Sequence, residues 1–409
     1  MAAAFAPLGA AMARHQPHFI ATALAGLCLL SGCVTGAPRG QNLAGTLDTL
    51  VPAAMTATGA RGVAIAVVSD GKVTLTKTYG VRNAAGDPLA PDTIMYGASL
   101  TKAAFGYFVM QLVDEGKLDL DTTIDHYLPQ PLPSYDSESD ADRYVPWAGL
   151  AEDGRWRKIT PRMLLTHSAG FHNFAFLEPD GKLRIHFDPG ERYAYSGAGI
   201  LLLQFVLERG LGLDVGAEMQ RRIFDPQGMT RTSLIWRTDF RPNLADGFGQ
   251  DGQVEEHDER SKVRASGSMD TTIEDMGKLA AAYVRGDRLS PKARQEMVKG
   301  QLPISTKTQF PSLQTPLEQA PFPTLSAGLG VIAFNGLQGP GFYKGGHNDT
   351  TGNTWVCLEA GRKCVVLLAN DVRAEAAFPA IVQAVLGETG VPWAWEYGDM
   401  KFFRPSAAK

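Results

Sequence analysis

The chain has 409 residues, 44% hydrophobic and 20% charged, with a formal charge of −4, 44 glycines, 25 prolines and four cysteines. The apolar fraction excludes a mainly disordered chain, the Gly and Pro lack the period of collagen, and the near-balanced charge leaves no electrostatic footprint for nucleic acid. Four cysteines over this length are too few for a disulfide scaffold, so their positions carry the information.

Two of them, Cys28 and Cys33, lie near the N-terminus. Arg14 is the one Lys, Arg, Asp or Glu ahead of an apolar run from Phe19 to Leu30, which ends in Ser31-Gly32-Cys33. A basic start, a short apolar stretch and small residues at its end form a secretory signal, too short to span a bilayer stably. The Leu30-Ser31-Gly32-Cys33 end resembles the bacterial lipobox. This implies that residues 1–32 are removed and that a lipidated Cys33 anchors the protein to a membrane, facing the periplasm, with the outer membrane the expected address. The alternative is an ordinary signal with an incidental cysteine. Met12 is a second candidate start.

Residues 33–42 read as a tether, and Leu43, Leu47, Leu50, Val51 and Ala54 then follow helical spacing. Val63 to Ser69 and Lys72 to Tyr79 are β-rich runs around Asp70-Gly71, a hairpin signal. A helix is predicted from Ser99 to Glu115, closed by Gly116. Helices and long loops follow, with helices at Pro161 to His167, Ala198 to Arg209, Val215 to Phe224, Ile273 to Arg285 and Pro291 to Lys299. Strands return at Leu325 to Phe334, Gly352 to Glu359 and Cys364 to Asn370, before a helix at Arg373 to Leu386.

Strand material at both ends predicts an α+β fold: an antiparallel sheet built from both termini, flanked by helices, with a mainly helical lobe inserted. The α/β lobe would take about 43–98 and 325–400, and the helical lobe about 99–324. Three loops are long enough to be functional: Pro129 to Lys158, Thr238 to Val263 and Gly300 to Thr324. The second, with Gly247, Gly249 and Gly252 beside four acidic residues, reads as mobile and solvated. The aromatic tail from Trp393 to Phe403 reads as a seal on the core. Ala360-Gly361 joins two strands so that Cys357 faces Cys364, at a separation a disulfide can bridge in an oxidising compartment; two buried free thiols are the alternative.

Gly97-Ala98-Ser99-Leu100-Thr101-Lys102 places a hydroxyl and an amine one turn apart on one face of a helix start, where backbone N–H groups favour an oxyanion. A lysine among Ala103, Phe105 and Val109 loses hydration, which disfavours its charged form and fits it to accept a proton. The pattern alone is weak, since Ser69-Asp70-Gly71-Lys72 matches it across a hairpin turn. Tyr195, in Tyr193-Ala194-Tyr195-Ser196-Gly197, stands at a loop-to-helix junction, where a nearby lysine would favour its phenolate. Downstream, Gly345-Gly346-His347-Asn348-Asp349-Thr350-Thr351-Gly352 supplies a histidine on a Gly-flanked sheet edge.

Together these segments resemble the serine β-lactamase and penicillin-recognising family, above all its class C, D-stereospecific peptidase and family VIII esterase branches, over roughly residues 45 to 387. Supporting segments are Gly116 to Asp121 through Pro129, Leu164 to Phe171, Phe224 to Met229 and Gly267 to Thr272. The resemblance implies that Ser99 is the acylated nucleophile, Lys102 its proton partner and Tyr195 the second acid/base, with Tyr193 a fallback. It makes His347 the first residue of the family's Lys-Thr-Gly or His-x-Gly element and gives the oxyanion hole to the N–H groups of Ser99 and Thr350. Lys344-Gly345-Gly346 is the rival placement of that triplet. His347 is preferred because Gly352 then falls where the family has its next glycine.

Gly197, Asn348 and Asp349 would line the substrate site. Gly197 stands where many members have Asn, and Asp349 where the triplet has Gly; both argue against an efficient β-lactamase. The implied activity is hydrolysis of small esters or D-amino-acid amides and peptides through an acyl-enzyme, with β-lactamase or DD-carboxypeptidase action as the alternative. A non-catalytic envelope protein binding peptidoglycan or a partner is the contrasting class. No cofactor or metal is implied: His167 and His172 lack a third ligand, and Walker and Gly-x-Ser-x-Gly signatures are absent.

Overall fold

The computed structural model describes residues 42–135 and 143–405. Cys28, Cys33 and the signal segment lie outside the described residues. Helix α1 (Leu43–Thr58) buries Leu47, Val51 and Ala54 and ends at Gly59 in the left-handed region. Strands β1 (Gly62–Ser69) and β2 (Lys72–Gly80) pair through a turn in which Asp70 and Gly71 both have positive φ, the requirement that Asp-Gly meets cheaply. After β3 (Met95–Tyr96), helix α2 (Leu100–Asp114) is buried along nearly its whole length. Helix α3 (Gly197–Gly210), strand β4 (Asp270–Thr271) and helices α4 (Ile273–Arg285) and α5 (Pro291–Val298) follow. The predicted helix from Val215 ends its regular part at Met219 and widens into a π turn over Gln220–Phe224.

The C-terminal third supplies β5 (Leu302–Pro303), β6 (Ser326–Ala327), β7 (Ile332–Gly336), β8 (Gly339–His347), β9 (Gly352–Leu358) and β10 (Lys363–Ala369), then α6 (Phe378–Leu386) and α7 (Trp393–Tyr397). The sheet order is β2-β1-β10-β9-β8-β7-β6-β5, antiparallel throughout. Both ends of the chain therefore build the sheet, as the strand pattern predicts. The short β5 joins it from inside the segment expected to be helical.

Both sheet faces are covered, which is why β1 and β10 read as continuous apolar runs. Ala64, Ala66, Val366 and Leu368 face a core with α2 and α4. Val63, Ile65, Val365 and Leu367 face a second core with α1, α6 and Trp395. Cys357 and Cys364 are directly opposed on β9 and β10 and joined as a disulfide, their Cα atoms 4.1 Å apart.

Three elements depart from expectation. Leu325 to Phe334 is not one strand: Gly328 N donates to Val331 O at 2.9 Å, Leu329 is buried, and a Cβ on Gly330 would lie 2.7 Å from Lys102 O. The chain leaves the sheet there to lean on α2. The helix predicted from Arg373 begins as a 3₁₀ segment (Val372–Ala377), and its α-helical part starts with Pro379 in the first turn, a position that needs no N–H donor. Finally, β8 is a strand that the sequence pattern misses, because Gly339, Pro340, Gly341, Gly345 and Gly346 all weaken its β propensity.

Candidate active site

Helix α2 starts from a strained turn. Gly97 N donates to Met269 O at 2.8 Å, and Ala98 has φ 47, a left-handed value that a side-chain-bearing residue adopts only when its surroundings impose it. Ser99 holds the N-cap position, yet its hydroxyl caps nothing. It instead lies 2.9 Å from Lys102 Nζ and accepts a hydrogen bond from Tyr195 Oη at 2.8 Å. Lys102 is almost fully buried, and its Nζ also donates to Ser266 O. Burial, and after it the charge of Lys344, holds its pKa well below the usual lysine range.

Tyr195 precedes α3, whose N-terminus is capped by Ser196 Oγ accepting from Gly199 N at 2.9 Å. The His167 ring packs against Tyr195, centroids 4.6 Å apart, and its Nδ1 accepts from Ser196 N at 3.2 Å. Burial, with Lys102 and Lys344 adding to it, holds His167 in its neutral form. Burial also pushes the Tyr195 phenol above its ordinary value, against the smaller lowering effect of its Ser99 hydrogen bond. The neutral phenol, not the expected phenolate, is the favoured form. Tyr193 is elsewhere, its Oη donating to Gln309 Oε1 at 3.2 Å.

The expectation that the strand triplet begins at His347 is corrected by the two-residue period of β8. Lys344 and Gly346 share the face toward α2. A Cβ on Gly346 would lie 2.9 Å from Leu100 N and 3.0 Å from Ser99 N, so glycine lets the strand lie against the nucleophile's own turn. His347 projects from the other face, where its Nδ1 meets Glu375 Oε1 at 3.0 Å. Burial lowers the His347 pKa, but the Glu375 hydrogen bond and charge raise it further, for a net rise.

The Thr350 assignment is corrected too: its N–H donates to Asn348 Oδ1 at 3.1 Å and its hydroxyl to Glu255 Oε2 at 2.6 Å. The triplet beside Ser99 is Lys344-Gly345-Gly346, and the residue after it is His347. Since Glu359 N donates to Pro340 O, even-numbered residues of β8 turn their main-chain groups toward β9 and odd-numbered ones toward β7. Strand β7 stops pairing at Tyr343. Beyond it Gly345 O accepts from Lys344 Nζ, and the main-chain groups of His347 face open space at the sheet edge.

That space is a cavity of about 890 Å³ lined by Ser99, Lys102, Tyr195, Lys344, His347 and Glu396, among others. Asn348 and Asp349 line it as well. At Gly197 a side chain would meet the Phe174 ring at 2.9 Å and Asn173 Oδ1 at 3.2 Å, and Gly197 N donates to that oxygen at 2.8 Å. The loop read as mobile forms a wall: Arg260 lies 3.7 Å from the Tyr96 ring centroid and donates to the buried Asp270 at 2.9 Å. Lys344, Glu396, Asn173 and Arg260 were not singled out as site residues from sequence, apart from Lys344 in the rival triplet. Among the described residues no three His, Cys, Asp or Glu side chains gather as a metal site, and no helix is long and apolar enough to cross a membrane.

A family model described as Beta-lactamase matches residues 47–387. The chain belongs to the beta-lactamase family. A lovastatin esterase of Penicillium rubens is 29% identical over 228 residues, 49% of this family member and 56% of the relative. A monacolin J acid methylbutanoyltransferase of Aspergillus terreus is 30% identical over 203 residues, 42% and 47% of the two chains. The chain thus spans about half the length of the curated relatives it matches. An octameric penicillin-binding protein homologue from Pyrococcus abyssi superposes with TM-score 0.65 at 21% identity, covering 85% of this chain and 78% of its own. A class C beta-lactamase does so with TM-score 0.65 at 16% identity, covering 84% and 95%. At such identities these likenesses establish the beta-lactamase/transpeptidase fold.

Proposed function

We propose that the protein is a serine hydrolase that cleaves small neutral esters through an acyl-enzyme on Ser99. The observation that carries this reading is the convergence of Lys102 Nζ at 2.9 Å and Tyr195 Oη at 2.8 Å on one hydroxyl oxygen, within a cavity and at a helix start. Lys102, with its ammonium form disfavoured by burial, takes the Ser99 proton as Oγ attacks the ester carbonyl. The oxyanion that forms is held by the N–H groups of Ser99 and His347, the two that Gly346 brings together. As the tetrahedral intermediate collapses, the C–O bond to the alcohol breaks and the leaving oxygen takes a proton from the neutral Tyr195 phenol, which Lys102 reprotonates. Water then attacks the acyl-enzyme by the reverse sequence.

Ester chemistry is supported by two of the relatives, the lovastatin esterase and the monacolin J acid methylbutanoyltransferase. The Asn173 amide takes the place beside Gly197 and Asp349 lies outside the Lys344-Gly345-Gly346 triplet, so neither departure weighs against β-lactams. The lipobox-like end supports an envelope lipoprotein anchored through Cys33; Cys33→Ser would release the protein from the membrane fraction, and continued anchoring of that variant would contradict this placement.

The test is a fluorophosphonate probe together with p-nitrophenyl acetate. A covalent adduct on Ser99 is expected, and Ser99→Ala should lose the adduct and about 10⁴-fold or more in turnover. Folded protein that neither labels nor hydrolyses would favour the binding-protein class instead.

A further inference from the structure

Gly345 has no side chain because another residue occupies that volume. A Cβ there would collide with Glu396 Oε1, so this carboxylate stands where a β8 side chain would project. It is carried in on α7, next to the fully buried Trp395, whose Nε1 donates to Thr306 Oγ1 at 3.1 Å. Gln309 Nε2 donates to Glu396 Oε2 at 2.7 Å, and Gln309 is held in turn by Tyr193. Glu396 is only 6% exposed, yet it lines the same cavity as Ser99.

Lys344 lines the same cavity from the other face of β8, its Nζ 5.1 Å from the Tyr195 ring centroid and donating to Gly345 O at 2.5 Å, and the Glu396 charge favours its ammonium form against burial. Without Glu396, the buried Lys344 ammonium would attract an anionic group. With it, the Lys344 charge is offset and an incoming carboxylate meets a fixed like charge in a poorly solvated place. Tyr195, the donor to the leaving oxygen, stands between Ser99 and Lys344, so the effect falls on the leaving-group side of the scissile bond.

We propose that Glu396 is a specificity-determining residue that excludes esters whose leaving alcohol bears a carboxylate and confines the site to neutral or cationic leaving groups. The proposal rests on the serine-hydrolase reading above. In the step concerned, the bond from Ser99 Oγ to the acyl carbon forms, the acyl C–O bond breaks and the serine proton ends on the leaving oxygen. The leaving group's carboxylate takes no part in the chemistry.

The acetate esters of 3-hydroxybenzoate and of methyl 3-hydroxybenzoate test this, because both give the same acetyl-enzyme and their kcat/KM ratio reports acylation alone. Wild type should favour the neutral ester by about tenfold or more, and Glu396→Gln should shrink that preference by about tenfold. A wild-type preference near one overturns the proposal without any variant. So does an unmoved ratio in Glu396→Gln, or an equal shift in Asp349→Asn, which would point to a general field. If Ser99 neither labels nor turns over the neutral ester, the serine-hydrolase reading fails and takes this proposal with it. Labelling and neutral turnover with an unmoved ratio remove the Glu396 assignment alone.

Discussion

Two walls of the cavity have each given a side chain up to glycine, and each is refilled from a distant segment with different chemistry. At the start of α3, the place beside Gly197 is taken by the Asn173 amide and the Phe174 ring. On β8, the place beside Gly345 is taken by the Glu396 carboxylate. The fillers also differ in how firmly they are held. Phe174 stacks on Phe176, ring centroids 5.1 Å apart, and Phe176 is 74% exposed. Glu396 is wedged among buried groups and tied to Gln309. The first wall is neutral and backed by a surface loop; the second is charged and fixed. Residues remote from the catalytic motifs therefore set what the site admits, while the motifs set what it does.

The sharpest way to break this comparison is to put a methyl group on each wall. In Gly346→Ala the new Cβ would press on Leu100 N at 2.9 Å, Ser99 N at 3.0 Å and Gly97 O at 3.1 Å, all main-chain atoms of the nucleophile's turn. The two oxyanion donors must then move apart, and kcat for a neutral ester should fall by about 10²- to 10³-fold, as when one such donor is removed. In Gly197→Ala the nearest atom is on the Phe174 ring, which can give way, so the loss should stay below about tenfold. Comparable kcat losses in two folded variants would show that β8 is no more fixed than the opposite wall.

The same contrast decides what was legible in the sequence. Ser99 and Lys102 could be paired because their relation is local, one helical turn, whereas Tyr195, 96 residues away, meets them only through the fold and was placed by the family resemblance that also singled out this Ser-x-x-Lys. Strands β1 and β10 were legible as apolar runs, and the Ala360-Gly361 turn fixes the register that opposes Cys357 to Cys364. Strand β8 was not, because the reasons for its glycines are tertiary. Gly341 makes room for Phe334, Gly345 for Glu396 and Gly346 for the Ser99 turn. Read without those neighbours the segment looks like a loop, and the triplet slides three residues to His347, onto the wrong face of the strand. Glu396 had no signal at all. The tail does seal a core through Trp395, and nothing in its pattern marks the carboxylate among its aromatics.

A second test uses the charges of the β8 wall. Burial first and Lys344 second depress the Lys102 pKa, so the free amine grows as pH rises through a value well below that of an exposed lysine. The kcat/KM for a neutral ester should climb about tenfold per pH unit along that limb and then level off. Lys344→Met removes a positive neighbour that disfavours the Lys102 ammonium. The Lys102 pKa must then rise, and the limb should move to higher pH. A limb that stays in place, or moves toward acid, would mean that Lys344 does not act on Lys102.

The smallest effect belongs to the neutral wall. Phe174 and Phe176 line the cavity together with Phe310, and an apolar rim of this kind rewards buried methylenes by about 0.8 kcal/mol each. Phe174→Ala should therefore lower kcat/KM for p-nitrophenyl hexanoate relative to the acetate by about fivefold to tenfold. Glu396→Gln, on the other wall, should leave that chain-length ratio in place while changing the ratio for charged and neutral leaving groups. Each variant thus has its own substrate pair. If Phe174→Ala shifts the charge ratio, or Glu396→Gln the chain-length ratio, the two walls are coupled through the cavity rather than separate, and the acyl and leaving groups do not divide between them.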